Sequence, residues 1–365
     1  MIGKERKIIR DKIFDVSVYL ILIFIVMIPI LHNNLFLLDF VYGRNYDLGL
    51  FYGKYISKYG GSLLSTLIPG KVLIFIALFF GVYSISELIG KMTQQRIVKL
   101  YASILYLLNP FMYIRILAGN WYLLFSYAVL PLVIKSFIEL LDNKERKAAI
   151  KFIFFMSLVA FSIHMLIIAL IIMSIIFIFW MLKYRDIRNI RIIPIVIIIF
   201  ILLNLYWIFP LITAKNTMID NIGNEDYKVF TPRIDNLSDL FNIASMYGFW
   251  REGYIYAKDF IPYWQLLSLL IISLAIYGFI SYYKDDKIGY LVKALGVIWI
   301  IGFILATGIN GPFGGINHWL YDNTILKGFR DSHKFVAMLV FSYAILGGLG
   351  VNKIKSMYDG MGCKK

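Results

Sequence analysis

The sequence predicts an all-α, polytopic membrane protein with about ten transmembrane helices, both termini on the inner side and long extracytoplasmic loops. Of its 365 residues 60% are hydrophobic and only 16% are charged, whereas a soluble domain is about half apolar and a quarter charged. The apolar residues also collect into runs of roughly 20, the length that a helix needs to cross a bilayer. This composition excludes a water-soluble globule, a disordered chain, a coiled coil and a disulfide-stapled module.

Apolar runs define the expected crossings. Eight runs have the length of one crossing: residues 14–31, 72–89, 97–113, 121–141, 192–212, 263–283, 288–307 and 335–351. The first follows a basic stretch but leads into no small-residue cleavage site, so we interpret it as a retained span. A ninth run, 150–182, would be about 50 Å long as one helix. Two helices that turn near Ser162 and His164 fit it better.

The distribution of positive charge decides between this hairpin and one long tilted helix, because cytoplasmic loops near span ends are rich in Lys and Arg. With the hairpin, most of the 37 Lys and Arg residues fall in short inside segments: 1–13, 90–99, 142–151, 183–191, 284–293 and 353–365. One long crossing would move the four cations of 183–191 outside and reverse every later loop. We therefore predict ten crossings.

The chain is expected to form a single membrane domain, 1–365, without a separate soluble domain. Its extracytoplasmic face consists of the outer loops 32–71, 213–262 and 308–333. Functional residues usually lie on loops held by a rigid scaffold, so this face is the predicted working surface. Within the spans, Lys135 and Glu139 are spaced i, i+4 and can pair.

Several functions are excluded or disfavoured by missing motifs. The net charge of +15 lies between apolar runs, which favours a membrane over nucleic acid as the partner. A Walker-type phosphate loop is absent, and none of the four His residues has zinc-ligand spacing.

Two carboxylates in the first outer loop are candidate catalytic groups. Asp39 stands among apolar residues shortly after the first span, and Asp47 follows with Arg44 between them. A partly buried carboxylate at a membrane boundary can act as a general base or bind a divalent cation. Alternatively, Asp39 caps an interfacial helix or pairs with Arg44.

Cations on the outer side are candidate phosphate ligands. Arg115 is the only charge between two spans, and Arg330, His333 and Lys334 cluster where the chain re-enters the membrane beside Asp331. Outer-side cations depart from the positive-inside trend, and cations at a helix start favour an anion such as phosphate. The alternative is contact with lipid headgroups. Asp331 is expected to neutralise only one of these cations.

Three features resemble the GT-C superfamily of integral-membrane glycosyltransferases, in particular prokaryotic proteins related to arabinofuranosyltransferases and the YfhO-like group. They are the acidic first outer loop, the stretch LNPFMYIRILAGNWYLLFSYAVLPL and the stretch GFRDSHKF before the final helix. The first loop departs from some members of that superfamily in lacking a paired acidic motif.

The resemblance implies transfer of a sugar from a polyprenyl-phosphate donor at the outer face of the cell membrane, with inversion at the sugar carbon. Asp39, or secondly Asp47, would be the base or hold Mg²⁺ or Mn²⁺, the only cofactor expected. Arg115, Arg330 and Lys334, with His333 beside them, would hold the donor phosphate. Two other functions remain open: a transporter or flippase of a lipid-linked or polar substrate, and a non-catalytic membrane assembly factor.

The ten-crossing topology predicts which positions a membrane-impermeant thiol reagent reaches. Single cysteines replacing Ser62 and Asn236 should be labelled from outside, and one replacing Asn352 should react only after the membrane is opened. Cys363 is replaced by Ser in all three variants. Labelling of position 352 in sealed cells would contradict the charge argument.

Overall fold

The computed structural model describes residues 16–27, 35–36, 41–42, 70–142, 146–185, 192–214, 221–251 and 254–362. In the first loop, two-residue strands β1 (Leu35–Phe36) and β2 (Val41–Tyr42) pair antiparallel. The helices are α1 (Val16–Met27), α2 (Gly70–Ile89), α3 (Arg96–Leu107), α4 (Pro110–Leu117), α5 (Trp121–Asp142), α6 (Arg146–Val159), α7 (Ile163–Tyr184), α8 (Ile193–Leu203), α9 (Leu205–Thr213), α10 (Asn224–Val229), α11 (Leu237–Ala244), α12 (Trp264–Tyr282), α13 (Gly289–Ala306), α14 (Gly314–Asn323) and α15 (Val336–Gly362).

The chain is an all-α polytopic membrane protein, as predicted. Among the described residues, six helical stretches are long and apolar enough to cross a membrane: Arg96–Leu117, Trp121–Asp142, Ile163–Tyr184, Trp264–Tyr282, Gly289–Ala306 and Ser332–Gly360. The bent pair α8 and α9 makes a seventh if it is one broken span. Shorter apolar helices occupy the first two predicted spans, so the total of ten crossings stays a prediction.

The long run 150–182 folds as two antiparallel helices, as the charge pattern predicted. Helix α6 ends at Val159, and the Ser162 hydroxyl caps α7 by accepting the Met165 N–H at 3.4 Å. Near the other end of α7, the Trp180 indole donates to an Asp142 carboxylate oxygen at 3.2 Å. Asp142 is the last residue of α5, so α7 returns to the level at which α6 begins.

Contacts place the described parts of the predicted inside segments 90–99, 183–191, 284–293 and 353–365 at one end of the bundle, here called the short-loop end, whereas segment 1–13 lies outside the described residues. Thr93 donates to the Asn352 side chain at 3.2 Å, and Asn352 donates to the Tyr282 hydroxyl at 2.8 Å. Lys183 donates to the Lys287 carbonyl at 3.0 Å. The opposite, long-loop end carries 221–262 and 308–335. Which end faces the cytoplasm is the prediction that cysteine labelling tests.

The expected single span 192–212 is broken. Helix α8 is about 16 Å long, too short for a hydrocarbon core of about 30 Å, and α9 leaves it at 80°. The corner is Asn204, only 2% exposed, which donates to Ser157 Oγ at 2.9 Å and accepts the Trp207 indole N–H at 2.9 Å. The bend therefore lets the buried Asn204 side chain use both its donor and its acceptor in hydrogen bonds.

Two tyrosine hydroxyls replace the backbone hydrogen bonds that are missing where prolines occur in neighbouring helices. Pro110 and Pro131 lack the N–H that would bond the carbonyl four residues earlier, on Tyr106 and Tyr127. Each tyrosine hydroxyl donates to the other's orphaned carbonyl: Tyr106 to the Tyr127 oxygen at 2.8 Å, and Tyr127 to the Tyr106 oxygen at 3.0 Å. Their rings stack at 4.2 Å and lock α3 against α5.

Helix α15 is the centre of the bundle, and 89% of its membrane-length window is buried. Where α15 crosses α12, the backbones of the two helices are in direct contact. A Cβ on Gly278 would overlap the Leu346 carbonyl oxygen, and one on Gly350 would overlap the Leu274 carbonyl oxygen. Small residues of this kind let membrane helices approach closely.

The prediction that Lys135 pairs with Glu139 along α5 is wrong. Lys135 binds Glu87 near the end of α2, and Glu139 contacts Lys91, just beyond α2, at 3.8 Å. Because α2 packs along α5, each side chain finds an opposite charge across the helix interface. Both pairs lie towards the short-loop end.

The exchanged tyrosine bonds predict unequal effects for two matched substitutions. Tyr106→Phe leaves the Tyr127 carbonyl buried without a donor, so unfolding free energy should fall by about 1–3 kcal/mol. Tyr127→Phe should be milder, below about 1 kcal/mol, because Asn109 still donates to the Tyr106 carbonyl at 2.9 Å. Thermal and denaturant unfolding of the purified protein measures both.

Tyr358→Phe is the control, because Tyr358 is 74% exposed on α15. Equal losses for Tyr106→Phe and Tyr127→Phe, or losses no larger than that of the control, would contradict the proposed repair of the two carbonyls.

Candidate functional site

The chain enters its last helix through the re-entry segment, Phe329–Phe335, at the long-loop end. Phe329 and Phe335 are fully buried and stack at 4.5 Å. Between them, Ser332 donates to the Ala306 carbonyl of α13 at 3.2 Å. The segment is thus fixed at both ends; Asp331, Ser332 and His333 are buried in the protein, whereas Arg330 and Lys334 line a cavity.

Arg115 holds the inner side of this segment. It lies in the last turn of α4, whose start is fixed by the Asn109 cap and by Pro110 as first residue. The Arg115 side chain is 1% exposed. Its two terminal nitrogens contact the two carboxylate oxygens of Asp331 at 2.6 and 3.3 Å, a bidentate pair.

The two terminal nitrogens of Arg115 make further contacts, whereas its Nε has no hydrogen-bond partner among the described residues. The terminal nitrogens donate to the Asn120 side chain at 3.0 Å and to His333 Nδ1 at 2.9 Å. Because a guanidinium only donates, His333 Nδ1 is the acceptor and the imidazole is neutral. The rings of Phe111 and Phe249 lie 5.5 and 5.1 Å from the guanidinium carbon. This group, Arg115, Asn120, Asp331 and His333, is called the buried cluster.

Asp331 is ionised in this setting. Its burial alone would raise the pKa of the carboxyl, but the neighbouring Arg115 and Lys334 cations hold that pKa below its ordinary value. A buried charge is stable only when it is paired and hydrogen-bonded, and the cluster meets both conditions for Asp331.

A cavity of about 450 Å³, here called the charged cavity, lies on the other side of the re-entry segment. Its polar lining comes from His164, Asp226, Arg330 and Lys334, and Asn221 contributes a neutral group. The apolar part of the wall is formed by Ile163, Ile167, Ile222, Ile325 and Phe329. The cavity therefore has a charged part and an apolar part, and the apolar part lies at the N-terminal end of membrane helix α7.

Arg330 is held in the cavity by two contacts. One of its terminal nitrogens is 3.6 Å from Asp226 Oδ1, and its guanidinium lies 4.2 Å from the centre of the Phe230 ring. The other Asp226 oxygen accepts the Gly223 N–H at 3.1 Å. Because Arg330 keeps 39% of its side chain exposed, the guanidinium remains accessible.

Lys334 links the cavity to the buried cluster. Its ammonium nitrogen is 3.9 Å from Asp331 and 3.3 Å from His164 Nε2. The same His164 nitrogen lies 3.1 Å from the Gly328 carbonyl, so its bonding depends on the tautomer. In total, three cations (Arg115, Arg330, Lys334) face two carboxylates, Asp226 and Asp331.

The structure separates the predicted phosphate ligands. Arg330 and Lys334 line the cavity, as a phosphate site requires. Arg115 and His333 are buried behind the segment, where Arg115 is bound by Asp331, so neither lines the cavity, and their role as phosphate ligands stays a prediction. Asp331 lies between Arg115 and Lys334 but carries one negative charge, and Asp226 pairs with Arg330, so one positive charge remains in excess.

The predicted catalytic carboxylates Asp39 and Asp47 lie outside the described residues. Within the described ranges, no group of three or more His, Cys, Asp or Glu side chains is placed to hold a metal. The expected Mg²⁺ or Mn²⁺ would therefore depend on Asp39 and Asp47, and it stays a prediction.

Two cavity residues were missed by sequence reasoning. His164 was used only to mark a turn, although a polar ring one position after a helix start is aimed at the loop end. Asp226 was one of seven carboxylates in its loop, and its sequence neighbours do not reveal a partner a hundred residues away. The cap that Asp226 makes at α10 was the only local signal.

Removing one partner of the buried pair should be strongly destabilising. Asp331→Asn keeps the size of the side chain but leaves the Arg115 charge uncompensated, so we expect a loss of about 3–5 kcal/mol in thermal unfolding. Replacing both partners, with Arg115→Met and Asp331→Leu, should recover most of it. Glu225→Gln is the control, because its pair with Lys228 is exposed. A single variant as stable as the control would contradict the role of the pair.

Comparison with known proteins gives a match to a family model. A family model described as 6-pyruvoyl-tetrahydropterin synthase related domain, membrane protein, matches residues 59–243, just over half of the chain. No curated protein and no solved structure matches. The matched region contains Arg115, His164 and Asp226 and ends before the re-entry segment. The chain therefore belongs to this family of membrane proteins, the 6-pyruvoyl-tetrahydropterin synthase related domain family.

Proposed function

We propose that the protein is a membrane glycosyltransferase that uses a polyprenyl-phosphate-linked sugar as its donor, at the outer face of the plasma membrane. The observation that supports it is the cavity in which Arg330 and Lys334 face an isoleucine-rich wall. The resemblance to the GT-C superfamily supplies the reaction. The family match supports a membrane protein and does not indicate an activity.

The charges of the cavity suit a phosphodiester. Arg330 offers a planar fork of donors, and Lys334 offers a compact point charge in the same lining. Three cations against two carboxylates leave one positive charge in excess. A sugar joined to a lipid through one phosphate carries a single negative charge, so it would neutralise this excess.

The apolar wall suits the lipid next to the phosphate. Ile163 and Ile167 lie at the start of a membrane helix, and Ile325 and Phe329 come from the turn that leads into the re-entry segment. A prenyl chain that leaves the phosphate along these residues would pass into the bilayer without exposing hydrocarbon to water. A free sugar phosphate would gain nothing from this wall.

The transfer step would combine two catalytic contributions. Asp39, or otherwise Asp47, would remove the proton of the acceptor hydroxyl, an effect of typically about 10²–10⁴-fold. Arg330 and Lys334 would stabilise the charge that develops on the leaving phosphate. Mg²⁺ or Mn²⁺ would assist if the first-loop carboxylates bind it.

The two alternative functions, a transporter or flippase and an assembly factor, require different arrangements of charged residues. A transporter or flippase needs a polar path through the bilayer, whereas the ion pairs Lys135–Glu87 and Lys91–Glu139 bridge helices near one end. An assembly factor needs no accessible cations. The exposed fork of Arg330 beside a lipid-facing wall therefore favours an enzyme with a lipid-linked substrate.

The proposal predicts separate effects on donor binding and on turnover. Arg330→Ala should weaken binding of a polyprenyl-phosphate sugar about tenfold or more, and Arg330→Lys should weaken it less, because Lys keeps the charge but loses the fork. Asp39→Asn should leave donor affinity unchanged and abolish transfer, with Asp47→Asn milder. Donor affinity is measured in nanodiscs, and transfer by release of the lipid phosphate.

Lys228→Ala is the matched control, because Lys228 is an exposed cation of the same face and does not line the cavity. Unchanged donor affinity in Arg330→Ala would reduce the cavity to a headgroup contact. Full activity in Asp39→Asn, Asp47→Asn and the double variant would refute catalysis by the first loop.

A further inference from the structure

A second cavity, of about 310 Å³, lies at the long-loop end on the far side of the buried cluster. It occupies the break between α3 and α4, where Asn109 and Pro110 interrupt the helix. The remaining walls come from α1, from residues 245–247, from Ala257 and Ile261, and from the first turns of α12. We call it the kink cavity.

No acidic or basic side chain is among the described residues that line the kink cavity. Its aromatic wall consists of Tyr113, Tyr247 and Trp264, with the last two rings 5.3 Å apart in an edge-to-face arrangement. Burial, reinforced by Asp259, raises the pKa of Tyr247 to about 12, so this hydroxyl is neutral at physiological pH. Lys258, whose ammonium is 5.4 Å from the centre of the Tyr247 ring, and Asp259 lie nearby but are of opposite sign, and neither is in the described lining, so the cavity favours a neutral ligand.

One hydroxyl group in the wall, that of Ser245, lacks a hydrogen-bond partner within the described part of the chain. The Ser245 side chain is 1% exposed, it lines the cavity, and its hydroxyl has no hydrogen-bond partner among the described residues. Leaving a buried hydroxyl unpaired is unfavourable. A second hydroxyl, on Ser268 of α12, lines the same cavity. The Asn109 amide is already used for helix capping and for carbonyls of α3.

The kink cavity reaches the membrane-facing side of the bundle. Leu267 lines it and is 54% exposed, and Ile261, also in its wall, is 41% exposed. Helix α12 is the least buried of the long apolar helices, with 17% of its membrane-length window buried. Among the described residues the cavity therefore opens beside α12, where a molecule dissolved in the bilayer can enter.

We infer that the kink cavity binds a neutral lipid that carries a hydroxyl group. Hydrocarbon fills the apolar and aromatic lining, and the lipid hydroxyl bonds to Ser245, with Ser268 in the same wall. A free sugar would need many more hydrogen-bond partners than these residues offer. This inference does not rest on the proposed glycosyl transfer, because the site shares no lining residue with the charged cavity.

Photolabelling of the full chain in nanodiscs tests the inference. The probe is dodecanol with a diazirine in its chain, and unlabelled dodecanol and dodecane compete at equal mole fractions in the bilayer. We expect labelling of peptides that line the kink cavity, and about tenfold stronger competition by dodecanol, the factor of one hydrogen bond. Absence of such labelling, or equal competition by the alkane, overturns the inference.

Three variants sharpen the test. Ser245→Ala should remove the advantage of dodecanol over dodecane while the protein stays folded, since it deletes an unpartnered hydroxyl. Ser268→Leu should weaken labelling strongly, because the larger side chain narrows the cavity beside α12. Its matched control is Ser273→Leu, an exposed position on the same helix that does not line the cavity and should label normally.

Equal labelling of Ser268→Leu and Ser273→Leu would overturn the assignment of the site. Persistence of the alcohol preference in Ser245→Ala would overturn the role of that hydroxyl. Unfolding curves, recorded for every variant, distinguish these outcomes from a failure to fold. Donor binding in the charged cavity should be unaffected throughout, which separates this inference from the proposed function.

Discussion

The bond between Arg115 and Asp331 joins residues that are 216 positions apart, and both proposed sites depend on it. The pair pins the re-entry segment against α4. Because Asp331 points inward, its neighbour Arg330 is presented to the charged cavity, and Lys334 reaches across the same turn to His164. On the other side, the residues around Arg115 in α4 form the wall of the kink cavity. A buried ion pair is a weak source of net stability, but it fixes one arrangement strictly, since neither charge tolerates losing its partner.

Arg115 reaches Asp331 only because the third span is interrupted. A continuous helix through Asn109 would rotate and shift everything after it, whereas the Asn109 cap and Pro110 restart the helix as α4. The interruption exposes carbonyls inside the membrane, where each unsatisfied group is strongly unfavourable. Tyr106 and Tyr127 satisfy these carbonyls in both α3 and α5, because the hydroxyl of each tyrosine donates to the backbone carbonyl of the other. The same interruption leaves the space between α3 and α4 that becomes the kink cavity.

The sequence predicted the fold class, the hairpin within 150–182 and the grouping of short basic segments, because hydropathy and charge act over single helices and loops. It could not predict pairings that depend on how helices face one another. Lys135 and Glu139 have ideal spacing along α5, yet each pairs with a residue at the end of α2. Arg115 and His333 share their residue types with Arg330 and Lys334, and only the direction of each side chain separates the buried cluster from the cavity. The 80° bend at Asn204 likewise depends on Ser157, a residue of another helix.

The arrangement of charges has a consequence for selectivity. Each cation of the charged cavity already has a carboxylate nearby, so an anion gains only the difference between its own contacts and those it displaces. Arg330 stays oriented when the site is empty, since Asp226 and Phe230 hold it, and less conformational entropy is lost on binding. The single excess charge favours a monoanion over a more highly charged pyrophosphate, because extra negative charge would face Asp226 and Asp331 without a free cation among the described lining residues. A site of this kind discriminates by charge number and by lipid, which is the discrimination that a transferase needs among the phosphates of a membrane surface.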